Sequence, residues 1–261
     1  MEQIWLNELK ENKNLKIDDV ERSIRYSRDL IHGLEKVKSY PQGVTVFGSA
    51  RLPESNHYYQ LARDLGQKLA KANVPVITGG GPGIMEAANR GAMEMNGTSI
   101  GLNIHLETEQ DLNKYTTDSM GFHYFFARKV MLTFSAKVYV FFPGGFGTLD
   151  EFSEVLELRH TAKIPPAPLF LVGKEFWQGL DDWFGQKMSE WHLIETGQQG
   201  EFNETGAADA GITKNARQLY TITDDVNEIV EAAIRTPGHD VSQVIAGVSP
   251  QSGVDHSGEA L

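Results

Sequence analysis

Cysteine is absent from this 261-residue chain. That removes disulfides, thiolate catalysis, zinc ribbons and cysteine-ligated iron–sulfur clusters together. No apolar run approaches the ~18 residues of a membrane span. The opening Met1-Glu2-Gln3-Ile4-Trp5 lacks the basic start and apolar stretch of a signal peptide, so the expectation is a cytoplasmic protein without a membrane partner. Positive charge is also short: 24 Lys and Arg against 35 Asp and Glu leave a net charge of −11. That balance argues against nucleic acid as a partner, while a local basic site for one phosphate remains compatible with it.

Several motifs are missing too. No Gly-Lys-Ser or Gly-Lys-Thr occurs, so a P-loop is excluded. The G-x-G-x-x-G spacing fails because counting from Gly81 and Gly83 reaches Glu86, and from Gly145 and Gly147 reaches Asp150. No G-x-S-x-G elbow appears. The eight His form neither H-x-x-x-H nor H-E-x-x-H, and no metal site is expected.

What is present is an alternation. Apolar runs at Val44–Phe47, Val74–Thr78, Ser99–Leu102, Val138–Phe142, Leu169–Val172 and Leu219–Thr223 read as strands buried on both faces. Tyr58–Ala72, Ile84–Met95, Phe122–Ser135, Leu149–Arg159, Phe176–Met188 and Val226–Arg235 read as helices. The expected fold class is α/β, a doubly wound parallel sheet with helices on both faces. Residues 1–40 are expected to form a helical extension, with an amphipathic helix over Ile17–Val37. Residues 41–236 would form one nucleotide-binding domain. Thr196–Ala216 reads as a long loop and 237–261 as a disordered tail.

Three strand ends open into glycine-rich turns: Gly48-Ser49 after the first, Gly79-Gly80-Gly81-Pro82-Gly83 after the second, and Pro143-Gly144-Gly145-Phe146-Gly147-Thr148 later. One such turn is ordinary loop geometry. Three at the carboxyl ends of parallel strands favour a ligand site, because helix N-termini there suit a phosphate. Thr148-Leu149-Asp150-Glu151 fits a capping box, so Glu151 is either a capping group or a carboxylate held beside the phosphate turn for base or nucleophile chemistry. Asp150 and Glu154 are assigned to the first helical turn. Arg128-Lys129, set among aromatics, is either a solvated edge or an anion clamp. Arg51 and Arg90 read as surface charges.

Taken in order from about Val44 to Val172, the Gly79–Glu86 segment, Arg128-Lys129 and Pro143–Glu151 resemble the LOG (Lonely Guy) family. That family includes cytokinin riboside 5′-monophosphate phosphoribohydrolases, long labelled lysine decarboxylases in error. The resemblance implies a Rossmann-like fold, a homodimer or larger homo-oligomer, and cleavage of a nucleoside 5′-monophosphate to free base and ribose 5-phosphate. Arg128 and Glu151 match the family's catalytic pair. Gly144, Gly145, Gly147 and Thr148 would hold the 5′-phosphate. Gly48, Ser49, Gly79, Gly80, Gly81, Gly83, Met85, Glu86 and Lys129 would complete substrate binding. Glu86 replaces the Gly of small plant-type members, and Phe146 the frequent Tyr. No cofactor is implied, and no lysine sits in a recognisable pyridoxal phosphate setting. The competing expectation is a non-catalytic carrier or sensor of a phosphorylated ligand such as molybdenum cofactor.

Overall fold

Strands with unbroken apolar runs need cover on both faces, and the chain supplies it with helices from each side. The computed structural model describes residues 17–104, 112–188, 190 and 218–238. Seven strands make one sheet: β1 (Gly43–Phe47), β2 (Val76–Thr78), β3 (Ser99–Ile104), β4 (Asp118–Phe122), β5 (Ala136–Phe141), β6 (Leu169–Val172) and β7 (Thr221–Thr223). Their order is β4-β3-β2-β1-β5-β6-β7, with every neighbouring pair parallel. The chain builds outward from β1 to β4, then returns to add β5 against the other side of β1. That reversal leaves a crevice at the carboxyl ends of β1 and β5.

Seven α-helices are described: α1 (Ile17–Lys38), α2 (His57–Lys71), α3 (Ile84–Glu94), α4 (Phe125–Phe134), α5 (Phe146–His160), α6 (Lys174–Trp183) and α7 (Val226–Arg235). The two-residue period of each strand splits the core. Val44, Val46, Val138 and Val140 meet α2, α3 and α7 on one face. Phe47, Tyr139 and Phe141 meet α1, α4, α5 and α6 on the other. There Phe47 and Phe141 stack at 4.7 Å, and Phe152 of α5 packs edge-on to Phe141 at 5.5 Å.

Four expectations need correction. β4 was not anticipated, because Asp118-Ser119-Met120-Gly121-Phe122 lacks an apolar run and lies at the sheet edge, where only Phe122 is buried. Phe122 therefore ends a strand, and the helix expected over Phe122–Ser135 begins at Phe125. The helix expected at Leu149 begins at Phe146. The one expected over Phe176–Met188 is α6 followed by a π-helical turn at Phe184–Met188. The loop expected over Thr196–Ala216 lies outside the described residues, as does the tail beyond Gly238.

α2 and α3 cross at backbone contact. A Cβ on Gly66 would meet the Ala88 carbonyl, and one on Gly91 the Arg63 carbonyl. Backbone cannot step aside as a side chain can, so Gly91→Ala should destabilise by about 1–3 kcal/mol despite the better helix propensity of Ala. A urea midpoint at or above that of the wild type would show that the helices can separate without cost.

Candidate functional site

The three glycine turns converge because their backbones bond to one another. The Ser49 amide donates to the Pro143 carbonyl at 3.0 Å, and the Ile84 amide donates to the Ser49 carbonyl at 3.0 Å. Gly48 faces Ile84 so closely that a Cβ there would lie 2.6 Å from the isoleucine methyl. Gly83, at φ +68°, leaves no room for a Cβ beside the Ser49 carbonyl. These contacts tie the ends of β1, β2 and β5 into one floor at the crevice.

The floor is held from behind by a buried polar network. Thr78 Oγ1 donates to Asn89 Oδ1 at 2.6 Å and accepts from the Gly80 amide at 2.9 Å. Asn113 reaches the Gly81 carbonyl at 3.1 Å and Asn89 Oδ1 at 3.0 Å through Nδ2, while its amide donates to the Gly80 carbonyl at 2.8 Å. Asn89 Nδ2 donates to Ser99 Oγ at 2.8 Å. Satisfied networks of this sort fix a loop in one conformation. Sequence reading missed Asn89 and Asn113. The available signal was Asn89, a polar residue on the otherwise apolar inner face of α3.

The helices differ in how they begin. Away from the site, α2 and α7 are capped by their own side chains: Asn56 accepts from the Tyr58 amide and Asp225 from the Asn227 amide, each at 2.8 Å. At the site, α3 and α5 begin from Gly83 and Gly145, with no side-chain cap. The capping box expected at Thr148 is therefore overturned. Thr148 lies inside the first turn of α5, buried against the spot where a Gly144 Cβ would stand. Gly145 and Gly147 face open space, with nothing within 4 Å of an added Cβ. The first turn of α5 so presents uncapped amides and the positive end of its dipole beside an open surface.

Glu151 lies one turn further along α5, and the side chain opposite is Arg128 of α4. Arg128 Nη2 stands 3.8 Å from Glu151 Oε1, an ion pair too long for a hydrogen bond. Arg128 is buried; its Nε has no hydrogen-bond partner among the described residues, and its Nη2 presses on Gly79, leaving no room there for a Cβ. Burial lowers the guanidinium pKa from its ordinary value, and Glu151 partly restores it. Burial pushes the Glu151 carboxyl up to about 7; Arg128 and Lys129 oppose that rise, and Asp150 and Glu154 add to it. Such a carboxyl changes charge near neutrality, the property a group needs to exchange protons or stabilise a cation.

Not every expected residue joins this cluster. Lys129 Nζ binds Asp150 at 2.8 Å and Glu154 at 2.7 Å, clamping α4 to α5. Asp150 and Glu154 are thus beyond the first turn assigned to them. Glu86 accepts from the Tyr59 hydroxyl at 2.8 Å, toward α2. Met85 is buried with its sulfur against Gly79. Arg90 pairs with Glu54 at 2.7 Å and Glu94 at 3.1 Å, and Arg51 is exposed. Among the described residues no cluster could hold a metal ion, and no helix is long and apolar enough to cross a membrane.

A protein-family profile described as "Possible lysine decarboxylase" matches residues 85–203. A cytokinin riboside 5′-monophosphate phosphoribohydrolase of Rhodococcoides fascians is 25% identical over 200 residues, spanning 76% of this chain and 91% of that protein. An uncharacterized protein of Archaeoglobus fulgidus is 27% identical over 132 residues, 50% of this chain and 83% of its own. Among solved structures, the molybdenum cofactor carrier protein from Chlamydomonas reinhardtii is 22% identical with a TM-score of 0.47, covering 78% of this chain and 97% of that one.

The raised Glu151 pKa has a consequence for stability. Unfolded, this carboxyl titrates near its ordinary 4.5; folded, near 7. Between those values the native state holds a proton that the unfolded chain has released, so stability falls as pH rises through this window and is level above it. The cost when fully ionised is about 3 kcal/mol. In Glu151→Gln the loss of stability between about pH 5 and about pH 8 should shrink by up to that amount. Equal losses in urea melts of both proteins would show that Glu151 is not a buried acid.

Proposed function

We propose, from its resemblance to the LOG family, that this chain hydrolyses the N-glycosidic bond of a nucleoside 5′-monophosphate, AMP or a cytokinin riboside monophosphate. Water is consumed, and the products are free base and ribose 5-phosphate. The observation that carries the reading is the pair of buried Arg128 and part-buried Glu151, set one helical turn from the uncapped start of α5.

The 5′-phosphate sits at the α5 N-terminus, held by backbone amides around Gly144, Gly145, Gly147 and Thr148. Gly48, Ser49 and the Gly79–Gly83 turn supply the wall that receives the ribose. Fixing the phosphate at that distance supplies remote binding energy, which positions the anomeric carbon. As the glycosidic bond breaks, positive charge develops on the sugar, and the Glu151 carboxylate stabilises it and orients the attacking water. Arg128, with an unpartnered Nε donor, anchors the phosphate or assists the departing base. The relative from Rhodococcoides fascians, named for this reaction on cytokinin riboside 5′-monophosphates, supports the reading.

Base release from a panel of nucleoside 5′-monophosphates, each beside its nucleoside, tests the reading. Monophosphates should be cleaved and nucleosides scarcely at all, with Glu151→Gln slower by about 10²–10³-fold. Equal rates on AMP and adenosine would remove the phosphate anchor. No release across the panel, with AMP still raising the melting temperature, would instead indicate a carrier or sensor.

Gly147→Ala separates binding from folding. Its Cβ meets no protein atom, and Ala favours the helix, so the melting temperature should hold or rise. The same methyl enters the proposed phosphate position, and a displacement of this kind should lower kcat/KM by roughly 10²-fold. Unchanged kinetics would place the phosphate elsewhere.

A further inference from the structure

Arg128 depends on α4 for its position. Its contact with Glu151, at 3.8 Å, is too long to fix the guanidinium by a directed bond. What fixes the start of α4 is therefore part of the site, and α4 does not cap itself: Tyr124 at its N-cap provides no side-chain bond. Its first residues, Phe125 and Phe126, are 56% and 44% exposed, so the core beneath α4 gives this turn little cover.

The missing support comes from α1, almost a hundred residues earlier. Asp29 is buried, at 4% exposure. Its Oδ2 accepts from the His123 backbone amide at 2.7 Å, and its Oδ1 lies 3.2 Å from His123 Nδ1. The next residue, Tyr124, accepts from the Arg128 amide at 3.2 Å, the hydrogen bond that begins the helix. A carboxylate at this end of α4 also complements its dipole. Around it, Tyr26 of α1 packs edge-on against Tyr124 and Phe126 at 4.3 and 5.1 Å, and Gly33 lets α1 approach Met131 and Phe122. A buried carboxylate is costly unless its bonds are used. Here the bond runs to a backbone amide immediately before the helix that carries Arg128.

We propose that Asp29 is a positioning residue for the reaction, anchoring the residue just before the Tyr124 N-cap of α4 and so setting the guanidinium of Arg128 through the Tyr124–Arg128 turn. The proposal rests on the phosphoribohydrolase reading for its activity readout. Its geometric content, that Asp29 governs the Arg128 ligand contact, stands apart from catalysis.

The test compares wild type with Asp29→Ala, Asp29→Asn and His123→Ala. It measures base release from AMP per folded molecule, and AMP affinity by calorimetry. Asp29→Ala should lose roughly 10-fold or more in kcat/KM. Asp29→Asn, whose amide oxygen can still accept from the His123 amide, should recover most of it. His123→Ala keeps the backbone donor and should resemble wild type. A purely structural role would lower the melting temperature of Asp29→Ala and leave kcat/KM per folded molecule unchanged; that result overturns the proposal. A loss in His123→Ala as large as in Asp29→Ala also overturns it, by assigning the effect to the imidazole. Should Asp29→Ala fail to fold, Asp29→Leu, similar in size but unable to accept from the His123 amide, takes its place with the same expected loss and the same overturning result. If wild type releases no base, the functional reading fails, and weaker AMP binding by Asp29→Ala than by Asp29→Asn would still uphold the positioning role. Equal binding by the two would end both.

Discussion

The backbone hydrogen bond from Ser49 to Pro143 is short in sequence terms on neither side, joining the end of β1 to the end of β5 across the point where strand order reverses. Everything proposed for the site depends on it. Together with the Ile84–Ser49 bond it forces three turns into one floor, and such contact between main chains is possible only where side chains are absent. Gly48 and Gly83 are therefore constrained by their neighbours in the protein, whereas Gly145 and Gly147 have no neighbour within 4 Å of an added Cβ. Two kinds of glycine occupy one site. The first kind builds the floor, and the second leaves it accessible.

Beside the floor stands the Arg128–Glu151 pair. Arg128 and Glu151 are each disfavoured by burial and each partly relieved by the other. A fully formed salt bridge would pull the carboxyl pKa down and spend the arginine donors internally. The observed separation leaves Glu151 poised near neutrality and an Arg128 donor unpartnered. Lys129, beside Arg128 in sequence, takes the opposite course: two carboxylates saturate it, and it works as a clamp between α4 and α5.

Much of this was legible from residues alone. The buried strands announce themselves as unbroken apolar runs, and β6 matches Leu169–Val172 residue for residue. The glycine turns and the Arg128–Glu151 pairing follow from motif and resemblance. β4 was hidden because an edge strand with little burial carries no apolar run to detect. The start of α5 was misjudged because Thr-x-x-Glu has the letters of a capping box, while the backbone turns helical three residues earlier and buries Thr148 against Gly144. Asn89, Asn113 and Asp29 were unreadable for another reason. Each is defined by a partner from a different element, and one chain without its fold does not announce who meets whom.

The attachment of α1 also bears on the order in which the chain can assemble. Lys36 meets Asp118 across 82 positions, and Asp29 meets His123 across 94. During synthesis α1 leaves the ribosome well before β4 and α4 exist to receive it. At ~5–20 residues per second that interval lasts on the order of several seconds or more, with Leu30, Leu34 and Val37 uncovered meanwhile. The helix that steadies the arginine is thus made early and seated late, and docking waits on a strand at the edge of the sheet.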